Sequence, residues 1–64
     1  MDLVDLFPDV AVLRVTLREF AMLRAAIREA NEALEDWEFE TRMGCSRREL
    51  GELGTQLRAV EASQ

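Results

Sequence analysis

A Ser/Thr-x-x-Glu pattern occurs twice in this chain, as Thr16–Glu19 and as Ser46–Glu49, each time just ahead of a run of spaced apolar residues. In such a box the hydroxyl accepts a hydrogen bond from the amide three residues on, and the glutamate reaches back to the amide of the capping residue. Two helix starts are thereby marked in a chain of 64 residues. After the first, Phe20, Leu23, Ile27, Ala30, Leu34 and Trp37 recur at steps of three and four, which predicts one amphipathic helix with Trp37 closing its core stripe. Its other side carries Arg18, Arg28, Glu29, Glu32, Glu35 and Asp36, with Arg28 placed one turn before Glu32 for an ion pair.

After the second box, Leu50, Leu53, Leu57 and Val60 define another long helix, from about Arg47 to Ala59, with the final EASQ expected to fray. Trp37 to Met43 reads either as a continuation of the first helix or as a short middle helix, and Gly44 suits a left-handed C-terminal position. The connection at Gly44 and Cys45 is too short for a linker, so the helices must pack together. Gly51 and Gly54, with Thr55 and Ala59, form a small-residue surface that reads as a close helix crossing within the chain, or else as an approach for a partner's backbone.

Ahead of the first box, VAVLRVT (Val10 to Thr16) is rich in β-branched residues and alternates as a strand does. Its partner strand is LVDLF only if Pro8 and Asp9 make the turn; otherwise the edge stays open to a symmetric dimer or to another protein's sheet, or the segment lies on the helices as an extended arm. The expected fold is therefore mainly α, in one small domain over residues 1–64. Residues 1–9 are an acidic head whose order the sequence leaves open, 10–16 a strand or arm, and 17–60 a helical hairpin.

Residue types restrict the chemistry. Histidine, lysine and tyrosine are absent and Cys45 is the one cysteine, so acid-base partners, an activated thiol, an internal disulfide and a nitrogen/sulfur metal cage are all missing. No cofactor or metal and no enzymatic activity is expected. A domain of this size buries only about 60% of the surface its unfolded chain exposes, which makes association, with another protein or as a homodimer, the expected source of further burial. No apolar stretch approaches a membrane span, and aspartates stand where a signal peptide carries positive charge, which points to the cytoplasm.

With 13 acidic against 8 basic residues the net charge is −5, which repels nucleic acid and anionic membranes and attracts basic proteins. A helix-turn-helix reading of Thr41 to Leu57 would place Ser46, Arg47 and Arg48 at the start of a recognition helix and Arg42 on a phosphate; Glu49 and Glu52 on that helix oppose it. Six acidic residues and no basic one lie between Arg28 and Arg42. A complementary surface for a basic partner would comprise Glu32, Glu35, Asp36, Trp37, Glu38, Phe39, Glu40 and Arg42, where Arg42 also stands one turn after Glu38. On a helix Phe39 points about 200° away from Trp37. A bend packs it under the last helix; without one it stays outside as a binding anchor.

Ala30, Asn31, Glu32, Glu38, Phe39, Thr41, Arg42, Gly44, Ser46 and Glu49 carry a resemblance. The chain resembles a group of short bacterial proteins with a strand-like lead, a helix ending in an A-x-N-E or similar segment (here Ala30, Asn31 and Glu32), then E-F-x-T-R-x-G, S-x-x-E and a closing helix, some similar to immunity proteins of polymorphic or contact-dependent toxins. Ala33 and the two glycines of the last helix depart from that pattern. The resemblance implies a stoichiometric inhibitor that covers a toxin's active site.

Overall fold

The computed structural model describes residues 1–63. In chain order it comprises β1 (Asp2–Leu6), β2 (Ala11–Arg14), α1 (Leu17–Ala33), α2 (Asp36–Met43) and α3 (Arg47–Ala62). The fold is mainly α, with an antiparallel two-stranded sheet at its N-terminus. Among the described residues no helix is long and apolar enough to cross a membrane.

The acidic head supplies the missing strand. Pro8 and Asp9 form the turn, closed by the Phe7 amide donating to the Val10 carbonyl at 2.8 Å. Pairing runs Asp2 to Arg14, Leu3 to Leu13, Asp5 to Val12 and Leu6 to Ala11, leaving Val4 as a bulge residue. Without that extra residue Leu3 and Leu6, three apart, would fall on opposite faces. The bulge shifts the phase by one and places both beside Leu13 and Ala11.

Both capping boxes form as the sequence dictates. Thr16 accepts from the Glu19 amide at 3.0 Å while Glu19 accepts from the Thr16 amide at 2.9 Å, and Ser46 and Glu49 repeat the exchange. Gly44 has φ +72°, so any side chain there would be strained. The end of α3 departs from expectation: helix continues through Ala62, and the Ser63 hydroxyl donates back to the Ala59 carbonyl at 2.9 Å. Gln64, the last residue of the segment expected to fray, lies outside the described residues.

The long first helix is interrupted. Leu34 and Glu35 are extended (ψ 137° and 155°), and a separate α2 begins at Asp36. α3 packs against both α1 and α2, and Phe39 and Leu50 are the two apolar side chains that become buried, at 2% and 6% exposure. Among the described residues, and apart from its connection to α1, the β hairpin's backbone makes no close approach to a helix. Its tie to the helical part is the Met1 ammonium on Glu19 at 2.7 Å. The expected glycine-mediated crossing is also corrected. A Cβ on Gly54 would meet Ile27 Cγ2 at an ordinary 3.5 Å and one on Gly51 would meet nothing within 4 Å, so helix contact requires neither glycine.

Glu19 is held at a pKa of about 2, below its ordinary 4.5, first by the Met1 ammonium and then by the Thr16 amide. Bonds from Ser46 lower Glu49 in the same direction. A depressed folded-state pKa adds stability that is complete above the unfolded value and disappears as pH falls. Urea unfolding followed by helical circular dichroism should therefore show stability declining as pH drops from 4.5 toward 2. E19Q should be less stable at neutral pH and decline less over that interval; parallel profiles for the two proteins would contradict this origin.

Candidate protein-binding surface

Arg47, the first residue of α3, orders the acidic end of the molecule. Its guanidinium donates to the Asn31 carbonyl, to Asn31 Oδ1 at 3.3 Å, to the Leu34 carbonyl at 2.6 Å and, through Nε, to Asp36 Oδ1 at 3.1 Å. It also lies 4.5 Å from the centroid of the Phe39 ring. The last carbonyls of a helix lack intrahelical donors and carry partial negative charge, so a guanidinium placed there satisfies both the bonding and the electrostatics. One side chain thus ties the end of α1, the start of α2 and the buried aromatic ring to the first turn of α3.

That clamp overturns the core position expected of Trp37 and takes the bent alternative for Phe39. The extended residues Leu34 and Glu35 reset the helical phase, so the three-residue step from Leu34 to Trp37 no longer continues the stripe. Trp37 is 82% exposed and does not close the core. Phe39 takes the inward position, which removes it from the surface set assigned to a partner. Met43, one turn further along α2 and half-buried, follows on the same side.

Of the other anticipated residues, Glu35, Asp36 and Glu40 are exposed. Glu40 stands three residues from Trp37 on α2, within reach of its ring edge, while Glu35 and Asp36 precede it at the N-terminus. Glu38 is half-buried and paired with Arg42 at 2.7 Å, so it braces α2 more than it faces outward. Glu32 belongs to another feature. It lines an open groove of about 670 Å³ between α1 and α3 together with Arg24, Arg28, Arg47 and Arg58, above Gly51 and Gly54. There Arg24 is paired with Glu61, and the expected Arg28–Glu32 pair does not form among the described residues.

Among the described residues no three acidic or cysteine side chains converge as a metal site. Cys45 is a partly covered free thiol. Arg48, exposed on the first turn of α3, pairs with Glu52 at 3.3 Å, and Arg47 is turned inward. The sequence does not mark Arg47 as a clamp, because two of its acceptors are backbone carbonyls, which leave no trace in residue type, and Asn31 and Asp36 lie more than ten positions away.

R47A should lower the unfolding free energy by about 2–3 kcal/mol, the scale of charge-assisted hydrogen bonds plus a cation–π contact. R47K should recover less than half of the loss, since an ammonium cannot reproduce the fork. Denaturant midpoints of the three proteins check this, and an R47A midpoint equal to the wild type would remove the clamp.

No protein-family model, curated sequence or solved structure matches the chain.

Proposed function

We propose that this chain is a non-enzymatic, acidic protein-binding module whose α2 docks on a basic surface of another protein. The observation that carries the reading is Trp37, 82% exposed on a helix with Glu35, Asp36 and Glu40 around it. A large apolar ring is costly to leave in water. Interfaces concentrate binding energy in such aromatics, set within a polar rim that excludes solvent. The carboxylates supply long-range attraction and register, and the indole supplies the short-range hold. Asp36 is shared, since its Oδ1 also accepts from Arg47 and fixes the helix that displays the ring.

In its specific form the proposal is an immunity protein that neutralises a cognate toxin by covering a cationic active-site surface. This form rests on the resemblance carried by Glu38, Phe39, Thr41, Arg42 and Gly44 together with the acidity of the exposed face. A nuclease-like target has to be cationic to hold its own substrate, and a carboxylate-rimmed helix competes for the same charges.

The test is titration with a basic toxin domain, sought first in the neighbouring reading frame, followed by Trp37 emission. A blue shift with saturation at one equivalent is expected. W37A should weaken binding by about 2 kcal/mol or more, the scale of an interface hot spot. Changing Glu35, Asp36, Glu38 and Glu40 together to amides should slow association and flatten its salt dependence. Affinity and salt dependence unchanged in both variants would defeat the proposal.

A further inference from the structure

The groove between α1 and α3 carries the charge opposite to that of the chain as a whole. Arg24, Arg28, Arg47 and Arg58 line its volume of about 670 Å³ against one carboxylate, Glu32, in a protein of net charge −5. The two helices run antiparallel across it, since Arg47 bonds Asn31 at one end and Arg24 pairs with Glu61 at the other. That alignment sets Arg58, one turn before Glu61, level with Arg24, and Arg28 follows Arg24 by one turn of α1. Three guanidinium groups are thereby gathered at the end away from Arg47.

The chain supplies this cluster with little counter-charge. Among the described residues Arg28 and Arg58 have no ion-pair partner, and Arg24 meets only the half-exposed Glu61, through one nitrogen. A guanidinium carries five N–H donors, so most of the cluster's bonding capacity is unused by the protein. Like charges one turn apart repel, and an anion set among them removes that cost. The floor beside them is bare. Gly51 and Gly54 stand inside α3, where each costs about 1 kcal/mol relative to alanine, and helix contact requires neither. A Cβ on Gly51 would enter open space, so what its absence provides is room.

We propose that the groove binds a phosphorylated small molecule of nucleotide size, with its phosphates on Arg24, Arg28 and Arg58 and its ring on the floor at Gly51 and Gly54. Arginine forks match phosphate oxygens in pairs. Cavities of about 300–1,000 Å³ hold ligands of this size, and α3 runs about 16 Å from Arg47 to Arg58, the reach of an extended nucleotide. Glu32 sets the orientation. One turn beyond Arg28, toward the Arg47 end, its carboxylate repels a second anionic group and accepts from a ring amino group. It also disfavours an acidic peptide, whose charges would be strung along the groove. The chain's other carboxylates are screened beyond about 8 Å, so the arginines govern the surroundings of a bound anion. Trp37 does not line the groove, and the site stands independently of docking through α2.

Calorimetric titration of the full chain at low ionic strength, with ATP as the probe and no divalent cation, tests this. One equivalent should bind, at least about tenfold tighter than inorganic tripolyphosphate, which has no ring to seat. R28Q and R58Q should each weaken ATP by about tenfold or more. R18Q removes the same charge from α1 outside the groove and should stay within about twofold of wild type. G51L puts a side chain on the floor, and should weaken ATP about tenfold while leaving tripolyphosphate within about threefold. No ATP binding at millimolar concentration overturns the proposal. So does R28Q equal to R18Q, tripolyphosphate held as tightly as ATP, or an oligoglutamate peptide held more tightly than ATP. Should a variant lose its helical circular dichroism, amide shifts of the unmodified chain decide. ATP-induced changes centred on the groove-lining stretches of α1 and α3 support the site, and changes centred on other elements overturn it.

Discussion

The Arg47 guanidinium is the interaction on which the helical part depends. α1 and α2 meet at two extended residues, where backbone carbonyls of Asn31 and Leu34 would be left without donors; Arg47 supplies both and stacks on the one aromatic ring that is fully buried. A cation at the first turn of a helix is disfavoured by that helix's own dipole. Here the charge faces the negative end of α1 instead, and the capping carboxylate of Glu49 offsets it within α3. The arrangement explains why so small a core holds an angle between helices: polar bonds to backbone do what apolar area does in larger domains.

What the sequence made legible follows from which features are local. Capping boxes, the left-handed glycine and the Glu38–Arg42 pair are written in residues three or four apart, and each forms as expected. The break at Leu34 and Glu35 is not local. No glycine or proline marks it, and it persists because a residue more than ten positions away bonds the freed carbonyls. Periodicity carried through the break therefore put Trp37 inside, although the alternative of a bend that packs Phe39 was visible in the 200° separation of the two rings on a helix. β1 shows the same limit from the other side. Its spacing of Leu3 and Leu6 fits no strand until a bulge is allowed, and a bulge has no signature in DLVDL.

The candidate surface was legible in charge and not in geometry. Glu35, Asp36 and Glu40 lie where an acidic run on an exposed helix has to lie, but Glu32 falls into the arginine-lined groove and Glu38 is committed to Arg42. The groove itself gathers arginines from positions 24, 28, 47 and 58, spread over two helices. In a chain of net charge −5 such a gathering is invisible to composition, because the acidic excess lies elsewhere.

These features divide the molecule by the kind of contact each end permits. Around α2 the exposed groups are carboxylates about an indole, and two such surfaces facing one another would bring like charges together in a medium that screens them only beyond about 8 Å. The hairpin exposes leucines on one face and Asp2, Asp5 and Arg14 on the other. Self-association through the acidic end is disfavoured by this distribution.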